Sequence, residues 1–115
     1  MKAALMVHFR EPVPGREKLA LDYRADVDEY WGKLAADGKC TFPELFFGSV
    51  GGGVWMVKGD LETLEEVVRT PAAQTLLYKG GLLFREFGYE FYLTGESVDE
   101  YILRYKEIAK GFGLI

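Results

Sequence analysis

The sequence predicts a single α+β domain, in which helices pack on one face of an antiparallel sheet. Apolar residues alternate over short segments and recur every three or four residues over longer ones, in the order β-α-β-β-α-β with one helix added. Glycine, proline and helix-capping residues separate these segments. The 115 residues suffice for one domain spanning 1–115, and a hydrophobic content of 49% suffices for its core.

The first strand and first helix follow from a change of period. Apolar side chains alternate over Ala3–Phe9, and the prolines of Glu11–Gly15 end that strand. From Arg16 the spacing becomes three and four, which is typical of a helix. Gly38 stands where a left-handed helix cap is expected. The stripe expected to face the core is Leu19, Tyr23, Val27, Tyr30 and Leu34.

The middle of the chain predicts a hairpin and a second helix. Phe42–Val50 and Val54–Lys58 are expected to be strands, joined by the glycines 51–53. These glycines favour a tight turn over a phosphate-binding loop, because a strand and not a helix follows them. Asp60 is expected to cap the second helix, and Thr70-Pro71 to restart it.

The last third predicts a long strand and a terminal helix. Gly80-Gly81 is expected to end the second helix, so that Gly81–Leu93 forms one strand with large apolar side chains on both faces. Ser97–Glu100 has the pattern of a capping box, opening a helix that stops at Gly111. This order is the split βαβ, ferredoxin-like arrangement, with strands one and three central. One sheet face then stays uncovered, and we expect a homodimer that packs sheet on sheet.

Composition excludes several classes of function. Fourteen Lys and Arg against eighteen Asp and Glu give a net charge of −4, and no basic face is visible, which argues against nucleic acid and anionic membranes as partners. The single Cys40 excludes an internal disulfide. The apolar run Ala3–Val7 is too short for a signal or a membrane span. We therefore expect a cytoplasmic protein.

Five features together resemble the dimeric α+β barrel superfamily, and in particular its small uncharacterised bacterial members. They are the opening strand, Pro14–Glu17 before the first helix, Ala36–Lys39 after it, the glycine-rich hairpin with Val57–Asp60, and Thr70-Pro71. The resemblance implies a ferredoxin-like homodimer. It leaves the activity open, because the superfamily includes cofactor-independent monooxygenases, haem-degrading enzymes, lactone isomerases, dehydratase-like members and ligand-binding regulators without catalysis.

Polar residues on an otherwise apolar strand mark the candidate site. His8 shares a strand face with Met6, and Arg10 extends that face. A histidine with a carboxylate and an arginine on a half-apolar wall can move a proton and hold an anionic oxygen. The candidate catalytic residues are His8, Arg10 and Arg85, and the candidate substrate-binding residues are Met6, Glu44, Phe46, Trp55 and Trp31. The alternatives are that His8 is a hydrogen-bonded core or interface residue, that Arg85 forms an interface salt bridge, and that both tryptophans only pack.

No cofactor or metal is predicted. The chain has no glycine fingerprint for flavin or nicotinamide, and one histidine with one cysteine leaves no recognisable metal-ligand spacing. Haem-degrading members would require a histidine on the second helix, and Leu61–Lys79 contains none. Three functions remain open: a cofactor-independent enzyme acting on a small, partly apolar molecule, a dimer that binds such a molecule without catalysis, and a purely structural or partner-docking dimer.

Overall fold

A computed structural model describes all residues from Met1 to Ile115. The four strands form one antiparallel sheet in the order β2-β3-β1-β4, so the first and third strands are central, as predicted. The elements along the chain are β1 (Lys2–Phe9), α1 (Glu17–Ala36), β2 (Glu44–Phe47), β3 (Gly53–Asp60), α2 (Leu61–Arg69), α3 (Pro71–Leu83), β4 (Gly88–Leu93) and α4 (Glu96–Gly111).

The alternation along β1 divides the sheet into a covered and an open face. Leu5 and Val7 are fully buried in the core beneath the helices, and Leu5 lies between Val57 of β3 and Phe91 of β4. The residues between them point to the other face, because side chains along a strand alternate. The open face carries Ala4, Met6, His8, Glu44, Phe46, Val54, Met56, Lys58, Gly88, Glu90 and Tyr92.

The predicted caps and turns are present. The Asp60 carboxylate accepts hydrogen bonds from the backbone N–H groups of Glu62 and Thr63 at the start of α2. The Thr70 hydroxyl accepts one from Ala73 at the start of α3. Gly38 ends α1 at a φ of 77°, in the left-handed region that favours glycine. Local sequence signals of this kind therefore predicted the starts of α2 and α3 and the end of α1.

The predicted core stripe of α1 was wrong in part. Leu19 is 53% exposed, whereas Ala20 is buried, and Trp31, a candidate substrate-binding residue, is 1% exposed. The buried stripe is Ala20, Tyr23, Val27 and Trp31. Both stripes have helical spacing, so periodicity alone could not choose between them; the packing of α1 on the sheet makes the choice.

The predicted strand Gly81–Leu93 was also wrong in its first half. The helix α3 continues through both glycines to Leu83, Phe84 pairs with Pro12 in an isolated bridge, and β4 begins only at Gly88. Gly80 is a packing glycine: a Cβ there would overlap the Phe87 ring and lie 2.7 Å from the Tyr23 hydroxyl. The glycine pair thus marks a close contact between elements, which sequence alone cannot distinguish from a helix end.

The terminal helix α4 differs from its prediction at its start. Gly95 precedes it at a φ of 57°, no side chain caps it, and Ser97 is buried in its first turn instead of capping from outside. The helix ends at Gly111, as predicted. It contacts β1 but leaves most of the open face uncovered, since Ala4 is buried there whereas Phe46 and Tyr92 both remain 46% exposed. None of the four helices has the length and apolar character needed to cross a membrane.

Candidate functional site

A cavity of about 560 Å³ lies between α1 and the covered face of the sheet. Its walls come from one side of α1, from the end of β1 and the loop after it, from the β2–β3 hairpin and from Phe84. We call it the main cavity. Its lining residues are Phe9, Arg10, Glu11, Pro12, Ala20, Leu21, Tyr23, Arg24, Val27, Asp28, Pro43, Leu45, Phe47, Gly51, Gly52, Trp55 and Phe84.

The hairpin forms one wall of the main cavity because its glycines allow a close approach. Gly51 and Gly52 have φ values of 91° and 72°, which favour glycine. A Cβ on Gly52 would overlap the Phe9 carbonyl oxygen and lie 2.9 Å from Arg10 Cα. The hairpin can therefore lie directly against the end of β1, and Leu45 and Trp55, which are paired across β2 and β3, line the same space.

The charged residues around the main cavity already have partners. Four charged side chains line it, and each forms an ion pair at 3.3 to 3.7 Å. All of these pairs are substantially exposed, so each contributes little to stability but cancels the local charge. The pairs are Arg24 with Asp28, Arg10 with Glu86, and Glu11 with Arg85.

The interior of the main cavity offers few free polar groups. The Tyr23 hydroxyl donates a hydrogen bond of 2.7 Å to the Leu76 carbonyl oxygen. Burial is the main cause of a raised Tyr23 pKa, so this phenol stays protonated in the physiological range. The Trp55 indole N–H is buried without a hydrogen-bond partner in the chain. No group of three or more His, Cys, Asp or Glu side chains could hold a metal ion.

A second, more open cavity of about 690 Å³ lies beside His8. We call it the open cavity. Its lining residues are His8, Phe9, Arg10, Phe46, Phe47, Gly48, Val50, Gly51, Gly53, Val54 and Glu86. His8 Nδ1 is 3.1 Å from the Glu86 carbonyl oxygen, and because a carbonyl only accepts, Nδ1 carries the proton in this contact. A Cβ on Gly88 would lie 2.9 Å from Nε2, so a glycine at this position leaves room for the imidazole ring.

Glu86 holds this second site together. Its φ of 49° places it in the left-handed region, unusually for a residue with a side chain, and such strain persists where the surroundings enforce it. Its carboxylate pairs with Arg10 Nε at 3.3 Å while its carbonyl accepts from His8. The neighbouring Arg85 is fixed by backbone hydrogen bonds of 2.9 Å with Arg10 and 3.0 Å with Glu11. This turn thus links β1 to the start of β4.

The predicted site residues are divided between the two cavities. His8, Arg10 and Phe46 meet at the open cavity, and Arg10 also lines the main cavity together with Trp55. The others line neither: Met6 and Glu44 lie on the open face, Arg85 pairs with Glu11, and Trp31 packs in the core with its ring centroid 6.0 Å from that of Trp55.

Sequence reasoning missed the α1 wall of the main cavity and the turn residue Glu86. Leu21, Arg24 and Asp28 lie on α1 beside the core stripe and look like ordinary surface positions in a helical pattern. A signal was nevertheless present. Pro12 and Gly51-Gly52 predicted tight loops after β1 and before β3. In an antiparallel pair these loops lie at the same edge of the sheet, and such loops commonly border a site.

No family model matches the chain, and no curated protein matches its sequence. Solved structures do match. A dimeric protein of unknown function with a ferredoxin-like fold, from Bacteroides fragilis, has a TM-score of 0.58 at 11% identity, covering 81% of this chain and 96% of its own. The fold is ferredoxin-like. The ferredoxin-like fold that the sequence resemblance implies is therefore confirmed.

Two of the structures with this fold are named as enzymes. An antibiotic biosynthesis monooxygenase has a TM-score of 0.59 at 17% identity, covering 83% of this chain and 97% of its own. A hydroxynitrile lyase from Passiflora edulis has a TM-score of 0.64 at 11% identity, covering 83% and 94%. At these identities the similarity establishes the fold and leaves the activity to be argued from the site.

Proposed function

We propose that the protein binds a small, neutral, mainly apolar molecule in the main cavity. The observation that carries this proposal is the cavity itself, about 560 Å³ between α1 and the sheet and lined largely by apolar and aromatic side chains. Its size falls in the range of small-molecule sites, roughly 300–1,000 Å³. A purely structural protein would be expected to fill this space with side chains, as protein interiors do.

The charge distribution favours a neutral ligand. Every charged residue at the main cavity is ion-paired within the chain, so an anionic or cationic ligand would have to displace an existing partner. We therefore expect an aromatic or alicyclic molecule that carries no charge.

Filling the main cavity from α1 tests this proposal. Ala20 is 6% exposed and lines the cavity, so Ala20→Leu places three additional carbon atoms in it. With 1-naphthol as probe, titration calorimetry should give binding to the wild type and an affinity at least about tenfold lower for the variant. 1-Naphthoate, the anionic counterpart, should bind the wild type about tenfold more weakly than 1-naphthol.

The matched control is Ala36→Leu, the same change at an exposed position of the same helix outside the cavity. It should bind 1-naphthol like the wild type. Equal binding by both leucine variants, or tighter binding of 1-naphthoate than of 1-naphthol, would contradict the proposed site.

We further propose that the protein is a homodimer joined through its open sheet face. That face carries Phe46 and Tyr92, each 46% exposed, with Met6, Val54 and Met56 half-buried beside them. An exposed apolar face of this extent commonly marks an interface, and a two-fold axis lets the same face cover itself. The Bacteroides fragilis protein with this fold is dimeric, which supports the proposal.

Phe46→Glu tests the dimer, because it places a charge on the open face at a position that is exposed in a single chain. Sedimentation equilibrium should give a dimer for the wild type and at least about a tenfold larger dissociation constant for the variant. The control is Leu82→Glu, at a 64% exposed position of α3 on the helix side. A wild type that stays monomeric at high concentration would refute the proposed interface.

A second candidate function is catalysis at the open cavity. The observation that favours it is the cluster of His8, Arg10 and Glu86, in which the imidazole contacts the Glu86 carbonyl oxygen and the guanidinium pairs with the Glu86 carboxylate. Two proteins with the same fold are named as enzymes. If this cluster is catalytic, His8→Gln abolishes turnover of a substrate found by screening neutral carbonyl compounds, without changing the dimer or 1-naphthol binding. Unchanged turnover would exclude His8.

A further inference from the structure

The main cavity and the open cavity share a wall. Four residues line both of them: Phe9, Arg10, Phe47 and Gly51. Each of these residues therefore borders both spaces, one of about 560 Å³ and the other of about 690 Å³. The two cavities are thus immediate neighbours, and we call these four residues the partition.

The open cavity reaches round the end of the sheet. The two cross-strand rows nearest this end both line it, one on the covered face and one on the open face. Consecutive residues of a strand point to opposite faces. The open cavity therefore runs from the face that carries the main cavity to the face that carries His8. The covered row is Phe9, Gly53 and Phe47, and the open row is His8, Val54 and Phe46.

The partition has a fixed part and a movable part. A Cβ on Gly53 would lie 3.0 Å from the Phe9 ring, so the glycine lets that ring reach across to Phe47, with centroids 6.4 Å apart. Phe9 also packs against Phe84, with centroids 4.9 Å apart. Phe47 is 75% exposed, and an exposed side chain changes rotamer within nanoseconds or faster. Phe47 can therefore turn aside while Phe9 stays in place.

The open cavity offers a polar group that the main cavity lacks. Its lining contains three titratable side chains, of which Arg10 and Glu86 pair with each other at 3.3 Å. His8 is exposed, and only its Nδ1 has a partner, the Glu86 carbonyl oxygen. A neutral imidazole accepts a hydrogen bond at its second nitrogen and a charged one donates it, so a ligand hydroxyl suits both states. Such a group also leaves the ion pair intact.

We propose that the two cavities form one site for an elongated neutral alcohol. The apolar body lies in the main cavity, the Phe47 side chain turns aside, and the hydroxyl group hydrogen-bonds to His8. The inference rests on the proposed binding in the main cavity and names the ligand class of that site. It gives one ligand to the apolar cavity and to the imidazole, which lie on opposite faces of the sheet.

The test compares 1-naphthol with 4-(1-naphthyl)butanol, which adds a flexible chain that ends in a hydroxyl group. The imidazole of His8, the only histidine, gives a single set of NMR signals. The alcohol should shift these signals in the wild type, and 1-naphthol should not. His8→Leu should weaken binding of the alcohol about fivefold, the loss of one hydrogen bond, and leave 1-naphthol binding unchanged.

Phe47→Ala tests the partition by titration calorimetry. It should raise the affinity for the alcohol relative to that for 1-naphthol by at least about fivefold, because no ring then has to turn aside. The matched control is Phe112→Ala, the same truncation at a 77% exposed position that lines neither cavity. It should leave the ratio of the two affinities unchanged. Binding of 1-naphthol by each variant also checks its folding.

The outcomes separate this inference from the proposed function. If 1-naphthol binds but the alcohol neither shifts the His8 signals nor gains from Phe47→Ala, the cavities are separate sites, and binding in the main cavity stands. If the alcohol shifts the His8 signals but binds Ala20→Leu as tightly as the wild type, it occupies the open cavity alone, which also refutes the joint site. If 1-naphthol does not bind the wild type, the proposed function fails, and the joint site fails with it.

Discussion

Most polar side-chain groups that line the main cavity already form an ion pair or a hydrogen bond within the chain. Arg24 is paired with Asp28, the Tyr23 hydroxyl is bonded to a backbone carbonyl, and the one buried donor left over is an indole N–H. Chemistry on a bound molecule needs a group that is free to exchange a proton or to hold charge. His8 is such a group, and it lies at the open cavity. His8 therefore does not line the proposed binding cavity, although Arg10 lines both cavities.

Cys40 gives a prediction about reactivity and pH. Burial raises the pKa of its thiol, which is half-buried with Sγ 4.0 Å from the Trp31 carbonyl oxygen. A raised pKa lowers the thiolate fraction, so iodoacetamide at neutral pH should label the native protein at least about tenfold more slowly than the protein unfolded in urea. Labelling at equal rates would contradict this.

The raised pKa of the Cys40 thiol also determines how the stability of the protein changes with pH. Because the folded state binds the thiol proton more tightly than the unfolded state, Cys40 contributes stability that is fully present below its ordinary pKa. That contribution is lost as pH rises through the raised value of the folded state. Cys40→Ser should therefore reduce the decline of melting temperature with pH in the alkaline range. Near pH 7 the melting temperatures of the variant and the wild type should depend on pH to the same extent.

Replacing each of the two glycines of α3 by alanine should change the free energy of unfolding in opposite directions. Gly80→Ala inserts a methyl group against the Phe87 ring and the Tyr23 hydroxyl, and such overpacking costs about 1–3 kcal/mol. At Gly81 the nearest atom to a Cβ is 4.0 Å away, so Gly81→Ala should stabilise the helix by about 0.4–1 kcal/mol. Urea unfolding measures both, and a stabilising Gly80→Ala would overturn the packing role.

These glycines also show where sequence reasoning reached its limit. Helix caps at Asp60 and Thr70 and the central position of β1 were predicted correctly, because local hydrogen bonding and crossover handedness decide them. The end of α3 was predicted wrongly, because a glycine that ends a helix and one that admits a neighbouring ring have the same sequence pattern. Only the tertiary contact with Phe87 distinguishes them.

The candidate site was also predicted only in part. Strand alternation correctly placed Met6, His8, Glu44 and Phe46 on one face. The main cavity was not predictable in detail, because its wall on α1 depends on the rotation of that helix about its axis. A small rotation exchanges Leu19 for Ala20 at the sheet, and the helical period fits both.

For the whole molecule, the bare surfaces matter more than any single contact. The open face, the end of β2 and the helix α4 all expose large apolar side chains, among them Phe46, Phe47 and Tyr105. Their coexistence in one small domain favours assembly over a monomer, since each isolated patch would otherwise remain hydrated. The folded state of the single chain should then depend on concentration.

Thermal unfolding measures this dependence directly. If two copies unfold together, raising the protein concentration from about 1 to about 100 µM adds about 2.7 kcal/mol per dimer, which corresponds to a rise in melting temperature of roughly 5–10 °C for a unit of this size. Phe46→Glu should reduce that rise, because a weakened interface leaves monomers that unfold independently of concentration. Leu82→Glu should retain it. A wild-type melting temperature that does not change over this range means that the open face stays exposed in the native protein.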